Sequence, residues 1–267
     1  MISIITPAFN AAPYITAAIE SVLAQTYAEW ELIIVNDGST DATEEVIKQF
    51  TDQRIRYIHQ ENKGVSAARN AGLEVMKGDF FLFLDADDVL PRQSIAARMP
   101  CFDDPEVDFV DGVVEKYDHH METVLSRKTH TFSGNPFEAL VHLDERCFLG
   151  LTWLVRRKTT TNYYFDEGHT HGEDLLFYMR IAREGGIYTA VDEPVLQYRQ
   201  HAASAMQNIE GLEKGYLHIL HVLRSWGLKK ELISAFQRKT CSIMVKCYLV
   251  RGQLLKALGA VIKFYKR

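Results

Sequence analysis

Through its first ninety residues the chain alternates between short apolar runs and segments whose apolar residues recur about every 3.6 positions. The runs Ile2–Thr6, Glu31–Val35, Arg54–Ile58 and Phe80–Leu84 predict strands. The segments Pro13–Gln25, Asp41–Phe50 and Val65–Met76 predict helices. Pro13 suits a first helical turn, Ser39 or Asp41 suits an N-cap, and Gly78 follows the third helix as a terminator. Phe80–Leu84 is apolar at every position, and a strand with two apolar faces belongs inside a parallel sheet covered by helices. The βαβαβαβ order therefore implies an α/β fold built on an open, doubly wound sheet. Such sheets bind their ligands beyond the carboxyl ends of the strands.

The alternation breaks after Pro91. Val107–Tyr117 and Glu122–Thr131 read as longer strands, antiparallel to one another. Asp174–Glu184 reads as a helix and Pro194–Arg199 as a further strand, and from about Ala205 the pattern is helical to the end. No linker composition or repeat interrupts the chain, so one continuous domain with a C-terminal helical tail is the simplest organisation. Its 267 residues suffice for a sizeable core, and 47% hydrophobic with 24% charged residues excludes a disordered or collagen-like chain. A net charge of −5 disfavours a nucleic-acid-binding surface. The cysteines at 101, 147, 241 and 247 form no CxxC pair and no zinc-ligand spacing, which points to reduced thiols. No signal-peptide pattern and no bilayer-length apolar run is visible, and a cytoplasmic location is expected.

Three acidic clusters fall where this architecture would place a site. Asn36-Asp37-Gly38-Ser39-Thr40-Asp41 follows strand two directly. Asp85-Ala86-Asp87-Asp88 follows the apolar strand four; three carboxylates there repel one another unless a cation or hydrogen-bond donors offset them. Gly172-Glu173-Asp174 stands before a predicted helix. Taken alone, the first reads equally as a glycine turn and the third as helix capping.

The ordered series TPAFN, NDGSTD, NKGVSAARN, FFLFLDADD, GED and YRQHAAS resembles the family-2 inverting glycosyltransferases, which have the GT-A fold. The resemblance covers roughly residues 1–205. It implies a nucleotide-sugar-binding half over 1–95, an acceptor-binding half over 96–205 and a helical extension over 206–267. No Rossmann fingerprint or phosphate-loop motif competes for the α/β half. The resemblance further implies a nucleoside-diphosphate sugar donor, usually a UDP-sugar, with the sugar moved onto an acceptor hydroxyl.

The resemblance assigns roles residue by residue. Pro7, Ala8, Phe9 and Asn10 would line the base and ribose site, and Asp37 would accept the uracil N–H. Arg69 would project toward the nucleotide, Asp85 would hold the ribose, and Ala86 lies between the two motif aspartates. Asp87 and His201 would ligate a divalent metal ion, Mn²⁺ or Mg²⁺, at the diphosphate, with Asp88 as a secondary candidate. Arg199 and Ser204 would help hold the segment over the diphosphate. Asp174 would be the base that takes the acceptor proton, with Glu173 beside it. Trp153, His169 and His171 are candidates for acceptor contact, and a core position is an equal reading of Trp153.

Residues 242–267 carry Lys246, Arg251, Lys256, Lys263, Lys266 and Arg267 among apolar residues, and no acidic one. This basic amphipathic pattern is that of a helix at a membrane surface or one packed on the domain with its basic face in water. Saccharide or lipid-linked saccharide acceptors, in envelope polysaccharide synthesis at the inner membrane face, are what the resemblance implies. A homodimer remains compatible with the sequence. Two other readings stay open: a non-catalytic nucleotide-sugar-binding subunit, and a nucleotidyltransferase that attacks phosphorus rather than carbon.

Overall fold

The computed structural model of the protein describes residues 1–148, 150–168, 171–200 and 208–265. The expected N-terminal alternation is present. Strands β1 (Ile2–Ala8), β2 (Trp30–Asp37), β3 (Ile55–Gln60) and β4 (Phe80–Phe83) alternate with helices α1 (Ile15–Leu23), α2 (Thr43–Ile47) and α3 (Val65–Val75). β1 lies parallel to both β2 and β4, with Ala8 opposite Asn36 and Ile5 opposite Phe83, and β3 adds outside β2. This register brings the carboxyl ends of β1, β2 and β4 to one edge of the sheet. Ile2, Ile4, Leu32 and Leu82 pack on one face with α1, while Ile5, Ile33, Phe81 and Phe83 pack on the other with α3. Both faces are buried, as the continuous apolar runs require.

The second half extends the same eight-stranded sheet. Helix α4 (Ser94–Arg98) and a 3-10 turn lead to β5 (Val107–Tyr117), which pairs antiparallel with β6 (Val124–Lys128). Helix α5 (Phe137–Val141) precedes β7 (Leu154–Arg156), which pairs antiparallel with both β4 and β5 and joins the two halves. Helix α6 (Glu173–Arg183) follows, then β8 (Ile187–Arg199), parallel to β5. β8 begins seven residues before the expected start at Pro194. Pro194 has no N–H to donate, and it sits where the β5–β8 register shifts, the place where a strand tolerates proline.

The tail forms α7 (Ile209–Ser225), α8 (Lys230–Val250) and α9 (Leu254–Tyr265). Phe236, Met244, Tyr248 and Phe264 from these helices enter the same core as Phe177 of α6 and Trp153. No helix among the described residues is long and apolar enough to cross a membrane.

Candidate active site

The loops after β1 and β2 are stitched together by short polar side chains. Asn10 takes the left-handed conformation at φ 49°, and its carboxamide accepts the Thr40 N–H at 2.8 Å. The Ala11 N–H donates to Thr43 Oγ1 and the Ala12 N–H to Asp41. Gly38 also has positive φ, and a Cβ there would stand 2.7 Å from the Asn62 nitrogen, so only glycine fits that turn. Pro7 and Ala8 are buried in β1, and Phe9 is half exposed at the strand's mouth.

Asp37 is buried and already engaged. It accepts the Gln60 amide at 2.7 Å and the backbone N–H groups of Lys63 and Gly64 at 2.9 and 2.8 Å. These bonds seat the loop that starts α3. A carboxylate has about four acceptor positions, so one is left on Asp37.

Arg69, on α3, is the hinge of the site. Its side chain is 5% exposed and reaches Asp85 at 2.9 Å and Glu173 at 3.1 Å. One guanidinium therefore gathers the acidic cluster beyond β4 and the cluster at the start of α6, 104 residues apart in sequence from Arg69 to Glu173. Its Nε–H has no acceptor among the described residues. The next residue, Asn70, holds the α6 side in place: its amide donates to the Phe165 carbonyl and accepts the Phe165 N–H. Phe165 stacks on Phe177 of α6 with ring centres 4.3 Å apart. Nothing in the sequence marks Asn70, since a clamp on a segment 95 residues away leaves no local signature.

Asp174 lies in the first turn of α6, its Oδ1 accepting the Leu175 N–H at 2.7 Å. Burial, reinforced by the charge of Glu173, pushes its carboxyl up to about 7. Asp88 is also buried, and burial together with the charges of Asp87 and Asp85 raises its carboxyl well above the usual range. Arg199, at the end of β8, clamps this turn. Its N–H donates to Asp88 Oδ1, and its guanidinium donates to the Asp87 and His119 carbonyls.

Among the described residues no group of three or more His, Cys, Asp and Glu side chains converges on one metal position. The donor chemistry nevertheless fits a hard cation. Asp85 and Asp87 are only partly buried, stand with the buried Asp88 beyond one strand, and offer oxygen ligands. Ala86 between them is buried.

Trp153 is a correction to the acceptor candidates. It is fully buried, donates its indole N–H to the Cys147 carbonyl at 2.9 Å and stacks on Tyr178 of α6 at 4.0 Å. Its backbone N–H donates to the Tyr178 hydroxyl, so it supports the helix that carries Asp174 and faces no cleft. His171 is buried against α7: a Cβ on Gly211 would meet its ring at 2.5 Å, and one on Gly215 would meet its carbonyl oxygen at 2.0 Å. His169, His201 and Ser204 lie outside the described residues.

Comparison with known proteins supplies the family. An uncharacterised glycosyltransferase of Bacillus subtilis, EpsJ, is 31% identical over 214 residues, covering 76% of this chain. The chain spans 62% of that relative's length. The crystal structure of S. aureus TarS 1-349 with UDP-GlcNAc superposes with a TM-score of 0.73 at 18% identity, over 98% of this chain and 81% of that one. A mannosyltransferase of Pyrobaculum calidifontis, in complex with GDP-Man and Mn²⁺, superposes with a TM-score of 0.61 at 17% identity, over 99% of this chain and 81% of that one. These likenesses agree with the expected α/β architecture. The model of the family described as "Glycosyl transferase family 2" matches residues 3–171, and the chain belongs to that family.

Proposed function

We propose that the protein is an inverting glycosyltransferase that moves a sugar from a nucleoside diphosphate, a UDP-sugar first among them, onto an acceptor hydroxyl. The observation that carries this reading is the Arg69 bridge. It brings the carboxylates expected to meet the donor and the carboxylates expected to meet the acceptor to within one guanidinium of each other.

In this reading the acceptor oxygen attacks the anomeric carbon while the bond from that carbon to the diphosphate oxygen breaks. The acceptor proton passes to the Asp174 carboxylate. A hydroxyl is a poor nucleophile until its proton is taken, and a base tuned near neutrality suits that task. Placement at the start of a helix packed on Trp153 and Phe165 fixes the direction of Asp174. Glu173, tied to Arg69, is free neither to wander nor to lose its charge partner, and we assign it to orienting the acceptor hydroxyl. Asp85 would hold the ribose, with Pro7, Ala8, Phe9 and Asn10 framing the base. A divalent cation, Mn²⁺ or Mg²⁺, bound through Asp87 and His201 would neutralise charge on the departing diphosphate. The acceptor is a saccharide or lipid-linked saccharide, met by a peripheral protein at the cytoplasmic face of a membrane.

The test is product formation. The purified chain is incubated with UDP-, GDP- and dTDP-sugars and saccharide or lipid-linked acceptors, and products are read by mass spectrometry. The reading expects transfer that Asp174→Asn abolishes while nucleotide binding persists. Nucleotide binding without any product would favour a non-catalytic binding subunit, and release of pyrophosphate would favour a nucleotidyltransferase.

A further inference from the structure

Helix α9 is built the opposite way round from a surface helix. Ala257, Ala260 and Phe264 are buried at i, i+3 and i+7. The outward face is not polar. Leu254, Leu258, Val261 and Tyr265 form an exposed row at i, i+4, i+7 and i+11, and Leu255 and Ile262 form a second row beside it. Leu255 is 84% exposed. The end of α8 adds Val250, 80% exposed, just before the connecting turn. A helix that is apolar on both faces normally has both covered, and a contiguous exposed apolar surface of this kind marks an interaction site.

The lysines expected to form a basic outer face are turned to the protein instead. Lys256 pairs with Glu210 at 2.6 Å and Lys263 with Glu213 at 2.5 Å, both on α7. They act as latches that hold α9 with its leucines outward. Cations also stand at the α8 end of the apolar surface. Lys246 is exposed on α8 one turn before Val250, and Arg251 follows in the turn. No acidic residue occurs from 242 to 267, where six Lys and Arg do.

We propose that the outward face of α9, with the end of α8, docks on an anionic lipid surface. At twelve residues the helix is about 18 Å long, too short to span a bilayer, so it would lie in the interface plane with its apolar rows among the acyl chains. Charge selects this occupant over a second copy of the chain. A symmetric pairing of this face would bring the exposed Lys246 of both copies into one interface, whereas anionic headgroups complement that charge. The inner side of α9 is tied to the segment that leads into Asp174. Lys256 anchors α9 to the first turn of α7, and Gly211 and Gly215 of that helix abut His171, three residues before Asp174. That the docked protein thereby meets a lipid-linked acceptor rests on the transferase reading; the docking itself does not.

The test is cosedimentation of the full chain with vesicles, without sugar donor or acceptor. Wild type is expected to pellet with vesicles of equal parts phosphatidylcholine and phosphatidylglycerol, and far less with phosphatidylcholine alone. The double substitution Leu255→Glu with Ile262→Glu should weaken pelleting by at least ~10-fold, and the milder Leu255→Ala with Ile262→Ala by a smaller factor. Circular dichroism and the melting-temperature rise given by UDP with Mn²⁺ should be the same in all three proteins. Absence of wild-type pelleting overturns the proposal, and so does undiminished pelleting of the variants. A wild-type dimer in light scattering that Leu255→Glu converts to monomer overturns it too, because the face would then be a self-interface. If UDP, GDP and dTDP all give no rise and no sugar is transferred while pelleting behaves as described, the docking stands and the transferase reading falls.

Discussion

Replacing Asp174 by Asn should make the protein more stable and catalytically idle, and the stability gain should depend on pH. The folded carboxyl titrates near 7, against 3.8 for an unperturbed aspartate. The folded state therefore keeps a proton that the unfolded chain releases between these two values. Stability then falls as pH rises through that window. At pH 8 both states are ionised and the wild type carries the whole difference, about 4 kcal/mol; at pH 5 it carries about 2 kcal/mol. Asparagine has nearly the same shape, keeps an oxygen to accept the Leu175 N–H, and has no charge to desolvate.

The variant's advantage over wild type should thus grow by about 2–3 kcal/mol between pH 5 and pH 8. For a chain of this size that is a relative gain of roughly 5–10 °C in melting temperature. Comparing the two pH values cancels effects of the substitution that do not titrate. Thermal unfolding of both proteins at each pH supplies the measurement, alongside turnover. Turnover of the variant should drop by ~10²–10⁴-fold, and wild-type turnover should lose its base on the acid side of about pH 7. An advantage that stays constant or shrinks from pH 5 to pH 8 would refute the electrostatic reasoning, whatever happens to turnover.

Arg69→Met should leave Glu173 and Asp174 without their shared cation and cost about 3–5 kcal/mol, the usual penalty for breaking a buried pair; in the enzyme that still folds, the acid limb of the pH–rate profile should move to higher pH. Gly215→Ala forces a Cβ to within 2.0 Å of the His171 carbonyl oxygen, so denaturant unfolding should show a loss of about 1–3 kcal/mol, with reduced turnover as the 171–174 segment shifts. Asp87→Ala should reduce the melting-temperature rise given by UDP with Mn²⁺, worth about 2.7 kcal/mol for wild type at a hundredfold excess over Kd, and leave unliganded stability within about 1 kcal/mol; an undiminished rise would remove Asp87 from the donor site.

What could be read from the residues was whatever depends on local pattern. The runs at Ile2, Trp30, Ile55 and Phe80 are continuous enough to identify strands, and β5 occupies 107–117 as expected. The short elements β7, α4 and α5 were missed, because their three to five residues show no clear hydrophobic period. β7 is nonetheless the strand that joins the halves of the sheet. In the site, the acidic clusters declared themselves by charge beside apolar strands. Their meeting did not, since Arg69 finds Glu173 by tertiary packing alone. Tertiary packing also decides what two further residues do. Asp37 gives three of its acceptor positions to Gln60, Lys63 and Gly64, a loop-seating role added to the one expected of it. Trp153 is held by Tyr178 and Cys147 inside the core. Composition likewise showed that the tail is basic, and only the packed structure showed that Lys256 and Lys263 face α7.

The balance of charge in the cleft leads to one more expectation. Asp85, Glu173 and Asp174 gather about the single guanidinium of Arg69, with Asp87 and Asp88 close behind Asp85. Arg199 adds a second guanidinium to this group, donating to the Asp87 and His119 carbonyls while its backbone N–H donates to Asp88. Among the described residues, two guanidinium groups thus face five carboxyl groups, a surplus of acid where a diphosphate would add more negative charge. Binding a nucleoside diphosphate alone sets like charges together in a partly desolvated site, which is costly. A divalent cation reverses that sign, so nucleotide and cation should bind as a cooperative pair. Calorimetric titration of UDP should show affinity falling by ~10-fold or more when chelator replaces Mn²⁺, the scale of a typical coupling free energy between two ligands. Asp87→Asn should flatten this dependence by removing one of the repelling charges along with a cation ligand. Equal UDP affinity with and without chelator would show that the surplus is neutralised within the protein, and the role given to the carboxylates beyond β4 would then be wrong.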